Sequence, residues 1–172
     1  MDNFARHYIR DMIYAANDGI ITTFAVVAGV QGAKLSPLVV LALGFANLAA
    51  DGVSMAAGNY LGIKSERAVG FVEGVETRHA IKHAAVTWGS FMFGGLVPLL
   101  PFLTSLPQQT ASNASVLCSA AALFSVGAVR TRITGRCWWH SGIEMLFVGA
   151  LAGSVAYAAG WGVHHLLSRG KP

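Results

Sequence analysis

Five apolar blocks, at residues 12–33, 38–61, 84–103, 114–129 and 143–167, leave this chain few ways to fold. A hydrocarbon core about 30 Å thick takes roughly 20 residues of helix to cross, and each block is near that length. Composition agrees: 54% of the 172 residues are hydrophobic and 12% are charged, against about a quarter charged in soluble domains. The expected fold class is all-α, a polytopic membrane protein of five transmembrane helices. The turn "KLSP" and the uncharged "SLPQQTASN" are short, so consecutive helices are expected to pack as antiparallel neighbours. No low-complexity tract or soluble domain interrupts the chain. Residues 1–172 therefore read as a single membrane domain, with the longest polar connection over 62–83.

The first block is not expected to be a cleaved signal peptide, because Asp18 and other polar residues break its start and no small-residue cleavage site follows. Cys118 and Cys137 lie at opposite ends of the fourth block and its loop, too far apart for a disulfide framework. The net charge of +4 does not point to nucleic acid, since the basic residues sit in loops rather than on one face. They report topology instead. Nine of the twelve Lys and Arg fall on the side that holds Arg6, Arg10 and the 62–83 connection, and the positive-inside rule puts that side, with the N-terminus, in the cytoplasm.

Against this background "NDGIITTFAVVAGVQGA", residues 17–33, carries a carboxylate into an apolar run. Asp18, Asp51 and Glu144 all fall inside expected spans, three of the eight acids in the chain. An aspartate at a helix centre costs about 2.5 to 3.5 kcal/mol on insertion scales, so folding alone favours leucine there. An intramembrane acid reads by default as functional, and Asp18 is the leading candidate. Asp51 fits equally well as a partner within the bundle. Glu144, two residues after Gly142, fits an acid at a helix N-terminus.

The second block adds spacing. Asn47, Asp51, Met55 and Asn59 recur at i, i+4 with Ser54 alongside, which places them on one helix stripe. Oxygen ligands with a thioether suit a transition metal better than calcium or magnesium. Asp18 and Thr22 form a matching i, i+4 pair on the first helix. The bland alternatives are that Met55 fills the core and that Asn47 and Ser54 only bridge helices.

A second cluster lies in "SERAVGFVEGVETRHAIKHAAVTWG", read as a helix running into the third span. Glu76, His79 and His83 fall within roughly 60° of one another, flanked by Glu66 and Glu73. Carboxylate with imidazole suits ferrous, manganous or zinc ions; interleaved Arg67, Arg78 and Lys82 give the competing reading of a solvated charged face. His164 and His165 read as interfacial, and His7 and His140 have no spacing partner. "GNYLG" and "GALAG" allow close helix contact, between subunits or within one.

The stretches "NDGIITTFAVVAGVQGA" and "GFANLAADGVSMAAGNYLGIKSE", then "GGLVPLLPFL" and "EMLFVGALAGSVAYAAG", resemble the vacuolar iron transporter family, the iron and manganese transporters of yeast, plants and bacteria. The resemblance spans all five blocks. It implies a homodimer of five-helix subunits that exports ferrous or manganous ion from the cytosol in exchange for protons, with the metal as transported substrate and no resident cofactor. Asp18 and Met55 match the family's intramembrane metal ligands at the two-fold axis. Two departures stand out. Asn47 occupies a position where family members carry glutamate, and Asp51 one that is commonly glycine, so the carboxylate has moved one turn. The long cytoplasmic metal-binding domain between the second and third spans is also missing, with Glu73, Glu76, His79 and His83 as its candidate remnant.

The residues support the same mechanism independently. A buried carboxylate holds either a proton or part of a divalent cation, so the two compete, and competition at an alternating-access site is antiport. Asp18 and Asp51 are the candidate proton-coupling groups. An enzyme is not expected, since no nucleophile has an adjacent base and no phosphate-binding glycine loop is present. The alternatives are a carrier of another cation or proton-coupled solute, or a non-transporting membrane assembly subunit. Small size points to a bacterial plasma membrane, with an organellar membrane as the alternative.

Overall fold

A computed structural model of the chain describes residues 3–69, 77–135 and 137–169. Five long α-helices make up the bundle: α1 (Asn3–Gly32), α2 (Pro37–Ala68), α3 (Thr77–Leu96), α4 (Gln108–Thr134) and α5 (Trp138–Arg169). Each is long and apolar enough to cross a membrane. The chain is a polytopic integral membrane protein. Several helices overrun the apolar blocks of the sequence. α2 and α5, at 32 residues each, reach about 48 Å, well beyond the hydrocarbon core.

The third apolar block divides. α3 stops at Leu96, and Val97–Leu103, "VPLLPFL", forms a 3₁₀ helix. Proline lacks an N–H and its ring crowds the carbonyl four residues earlier, so Pro98 and Pro101 end the α-helical ladder. The carbonyls this frees need partners inside the membrane. Ser115 on α4 donates to the Pro98 carbonyl at 2.7 Å, and Thr104 to that of Pro101 at 2.6 Å. The segment is thereby locked to α4, with Leu99 and Phe102 buried.

The end of α1 is a Schellman turn. The Leu35 N–H reaches the Val30 carbonyl at 3.1 Å and the Lys34 N–H that of Gln31 at 2.9 Å. This forces Lys34 into the left-handed region, φ 56°. Pro37 then opens α2 at a position where its missing N–H costs nothing.

α1 is the central helix, packed against the other four, while α2 and α5 leave most of their surface outside. Two glycine contacts set its position. A Cβ at Gly19 would collide with the Phe91 carbonyl of α3, and one at Gly32 with the Tyr157 carbonyl of α5. Only glycine permits such backbone approach, which is how helices associate where lipid removes the hydrophobic drive. Of the two small-residue patterns, "GALAG" packs inside the chain, Gly149 against Leu123 and Gly153 against Phe24, whereas Gly58 and Gly62 meet nothing within 4 Å. Cys118 and Cys137 are both free and exposed.

Candidate functional site

Asp18 lies midway along α1 and is exposed on the flank of the bundle. Its helix turns Ile13, Ile20, Thr23 and Val27 inward, and at 100° per residue Asp18 then falls on the outward side. Thr22 does not reach its carboxylate. The hydroxyl donates instead to the Asp18 backbone carbonyl at 2.9 Å, the back-bonding that a helical threonine favours. The Asp18 carboxylate makes no hydrogen bond or ion pair among the described residues.

α2 supplies the other side of this opening. Its buried stripe is Val40, Gly44, Leu48 and Gly52, and the half-buried residues beside that stripe include Asn47, Asp51, Met55 and Asn59. Asn47 Nδ2 donates to Asp51 Oδ2 at 2.8 Å, one turn along the helix. Asp51 borders the same seam as Asp18, and the two carboxylates repel through space. Met55 packs against the cluster of Ala15, Leu48 and Phe91, one turn of α1 before Asp18. The structure therefore gathers Asp18, Asp51, Asn47 and Met55 along a single α1–α2 seam. Two carboxylates that border one seam without a counter-ion repel each other, and a proton or a cation relieves the repulsion.

Asn59, the fourth residue of the stripe, belongs to a different constellation. Its amide donates to Asp11 Oδ2 at 3.3 Å and to Thr87 Oγ1 at 2.7 Å. Asp11 also meets His83 Nδ1 at 2.7 Å, with both side chains about nine-tenths covered. Tyr8 stacks on the His83 ring, centroids 3.9 Å apart. This closed polar knot ties α1, α2 and α3 together. Sequence spacing placed His83 with His79 on a cation-collecting face; in the fold its ring is turned into the bundle and engaged by Asp11. Glu73 and Glu76 lie outside the described residues, and no group of three or more His, Cys, Asp and Glu positioned to hold a metal occurs among those described. Asp11 and Thr87 were not singled out from the sequence. The available signal was the seven-residue step from Asp11 to Asp18, which places both on one face of α1.

Glu144 also has a partner rather than a helix-terminal role. It accepts from Arg130 of α4 at 3.5 Å, and that guanidinium lies 5.9 Å from the Tyr14 ring centroid.

Five membrane-crossing helices with an acid-bearing seam open on one flank define a class: a polytopic membrane protein with carboxylates inside its membrane-crossing segments. Comparison with known proteins gives the family. The VIT family profile matches residues 9–73 and 68–161, and the chain belongs to that family. The match breaks at the α2–α3 connection. The chain is similar to vacuolar iron transporter 1 of Arabidopsis thaliana, 27% identical over 220 residues, covering 94% of this chain and 88% of that one. Vacuolar iron transporter 1 of Oryza sativa subsp. japonica is 28% identical over 208 residues, 87% and 82% of the two chains. A vacuolar iron transporter of Toxoplasma gondii is 41% identical over 76 residues, 44% of this chain and 24% of that protein. The Arabidopsis alignment is longer than the 172 residues of this chain, so the plant protein carries residues that are missing here.

Proposed function

We propose that the protein transports ferrous or manganous ion across the membrane, outward from the cytosol and in exchange for protons, as a homodimer. The observation that carries this reading is the exposed Asp18 carboxylate in the middle of a membrane-crossing helix. Facing lipid, it would meet the full cost of a charge in hydrocarbon. A second copy placed on the α1–α2 seam removes that cost, because two Asp18 carboxylates balance one divalent ion. The exposed face of α2 beside the seam carries Ala50, Ser54 and Gly58, small enough for close approach of a second chain.

The chemistry follows from the donors. Asp18 and Asp51 bind metal only when deprotonated, so each ion bound displaces protons and each proton taken up weakens the grip on metal. The thioether of Met55 disfavours calcium and magnesium, which are held by oxygen ligands alone. Asn47 holds Asp51 by its hydrogen bond and adds a neutral oxygen. The names of the relatives support iron as the substrate.

The excess of basic residues on the side of the N-terminus supports a cytoplasmic N-terminus. The short α2–α3 connection favours a bacterial plasma membrane over the vacuolar membrane named for the relatives. In this reading residues 1–172 act as one membrane domain without a separate cytoplasmic collector. The test is ion flux in proteoliposomes across a panel of divalent cations, with pH recorded on both sides. Iron or manganese flux coupled to counter-flow of protons is the expected result; flux of another cation, or none with any, overturns the assignment.

A further inference from the structure

The side of α1 turned away from Asp18 borders a second opening. Met12 and Ala16 floor a groove of about 390 Å³, walled by Gly89 and Phe93 on α3 and by Ser125 and Val129 on α4. α3 and α4 barely touch along their length; the 3₁₀ segment joins α3 to α4 at one end only. The lining is almost wholly apolar, so water, which needs two or more polar partners, has no reason to stay there. The groove lies within membrane-crossing segments of all three helices. Its volume is in the range of small-ligand pockets, roughly 300 to 1,000 Å³.

Charge distinguishes one end. Lys82 stands seven residues before Gly89 and eleven before Phe93, so at 100° per residue it shares their face of α3. Arg132 follows Val129 by one turn on α4. Both are exposed, and both lie beyond the groove toward the N-terminal side of the bundle. Basic residues between transmembrane helices on the cytoplasmic side hold the headgroups of anionic lipids. We infer that the α3–α4 groove binds one acyl chain of an anionic phospholipid, with Lys82 and Arg132 on its headgroup. A second copy of the chain is not the occupant: the proposed dimer seam lies on the opposite side of α1, since Asp18 falls roughly 170° from the mean direction of Met12, Ile13 and Ala16. That clause and the cytoplasmic placement of Lys82 and Arg132 rest on the proposed function.

The test uses the full-length protein, delipidated in detergent and then exposed to nanodiscs of phosphatidylglycerol and phosphatidylcholine, with bound lipid counted by native mass spectrometry. One phosphatidylglycerol per chain is expected, preferred about 30-fold over phosphatidylcholine through two cations. A Cβ at Gly89 meets nothing within 4 Å, so Gly89→Leu enters the groove without disturbing the bundle. It is expected to cut bound lipid about ten-fold by occupying the apolar volume. The double variant Lys82→Gln, Arg132→Gln keeps a lipid but loses the preference. Equal lipid on Gly89→Leu and the parent overturns the site. A variable stoichiometry with no headgroup preference reduces it to boundary lipid, and loss of the dimer in Gly89→Leu gives the groove to a second copy. The readout is lipid and not flux, so a failed transport assay with tight lipid leaves this site standing.

Discussion

Asp11 and Asp18 are two turns apart on the same side of α1, yet the bundle surrounds them differently. Asp11 is covered, held by His83 at 2.7 Å and by Asn59 at 3.3 Å. Asp18 is exposed, and its carboxylate has no hydrogen-bond partner among the described residues. The penalty for a carboxylate in the membrane is greatest at the middle of a span, where Asp18 stands, and falls toward its end, where Asp11 lies. At Asp11 the chain answers it internally, through a knot linking three helices. At Asp18 the answer is left to something outside the chain, whether a proton, a cation or a second subunit. An acid that its own fold satisfies is structural, and one that its fold leaves open is available for binding.

The sharpest way to break that contrast is to neutralise each acid in turn. Asp18→Asn is expected to lower ion flux in proteoliposomes by about 100-fold, since the amide neither exchanges a proton nor balances a cation. Its insertion and thermal unfolding should match the parent. Flux that survives the change would mean the open acid is idle. Asp11→Ala should do the reverse. It leaves His83 and Asn59 without their shared acceptor and is expected to cost about 2 kcal/mol of stability, measured by reversible unfolding in mixed micelles, while flux per folded molecule holds. A variant as stable as the parent but transport-dead would move Asp11 into the pathway.

Met55 lies between the two sites, packed on Ala15, Leu48 and Phe91. Leucine conserves its volume, so Met55→Leu should change stability by less than about 1.5 kcal/mol. Binding of ferrous or manganous ion is expected to weaken about ten-fold with loss of the sulfur, read from a binding isotherm. An unchanged isotherm would return Met55 to the core.

The fold was legible because membrane spans announce themselves by length and apolarity, and five emerged where five were expected. The break of the third block was not anticipated, although "VPLLPFL" carries the two prolines that cause it. The seam was half legible. Spacing of four residues on one helix puts Asn47, Asp51 and Met55 together, since they share a stripe whatever the tertiary fold. His83 shows the limit of that logic: helical spacing aligned it with His79, but its partner is Asp11, 72 residues away in sequence. Asp11 itself sits one residue ahead of the first apolar block, where a charge needs no explanation, and only the extension of α1 to Asn3 draws it into the bundle. Glu144 is a parallel case, an acid read from its own helix and paired instead with Arg130 on the neighbouring one.

The smallest test probes whether the covered knot is structural throughout. Thr87 is buried and accepts from Asn59 Nδ2 at 2.7 Å. Thr87→Val keeps the branched shape and removes only the hydroxyl. The amide of Asn59 then depends on its longer contact to Asp11, and hydrogen bonds between membrane helices average about 0.6 kcal/mol in double-mutant cycles. The expected outcome is a loss of about that size in unfolding free energy, not additive with Asp11→Ala because both variants act on the same amide. Ion flux and its dependence on pH should stay as in the parent. If Thr87→Val slows flux at unchanged stability, the knot takes part in conduction, and the division of α1 into a structural acid and a binding acid fails.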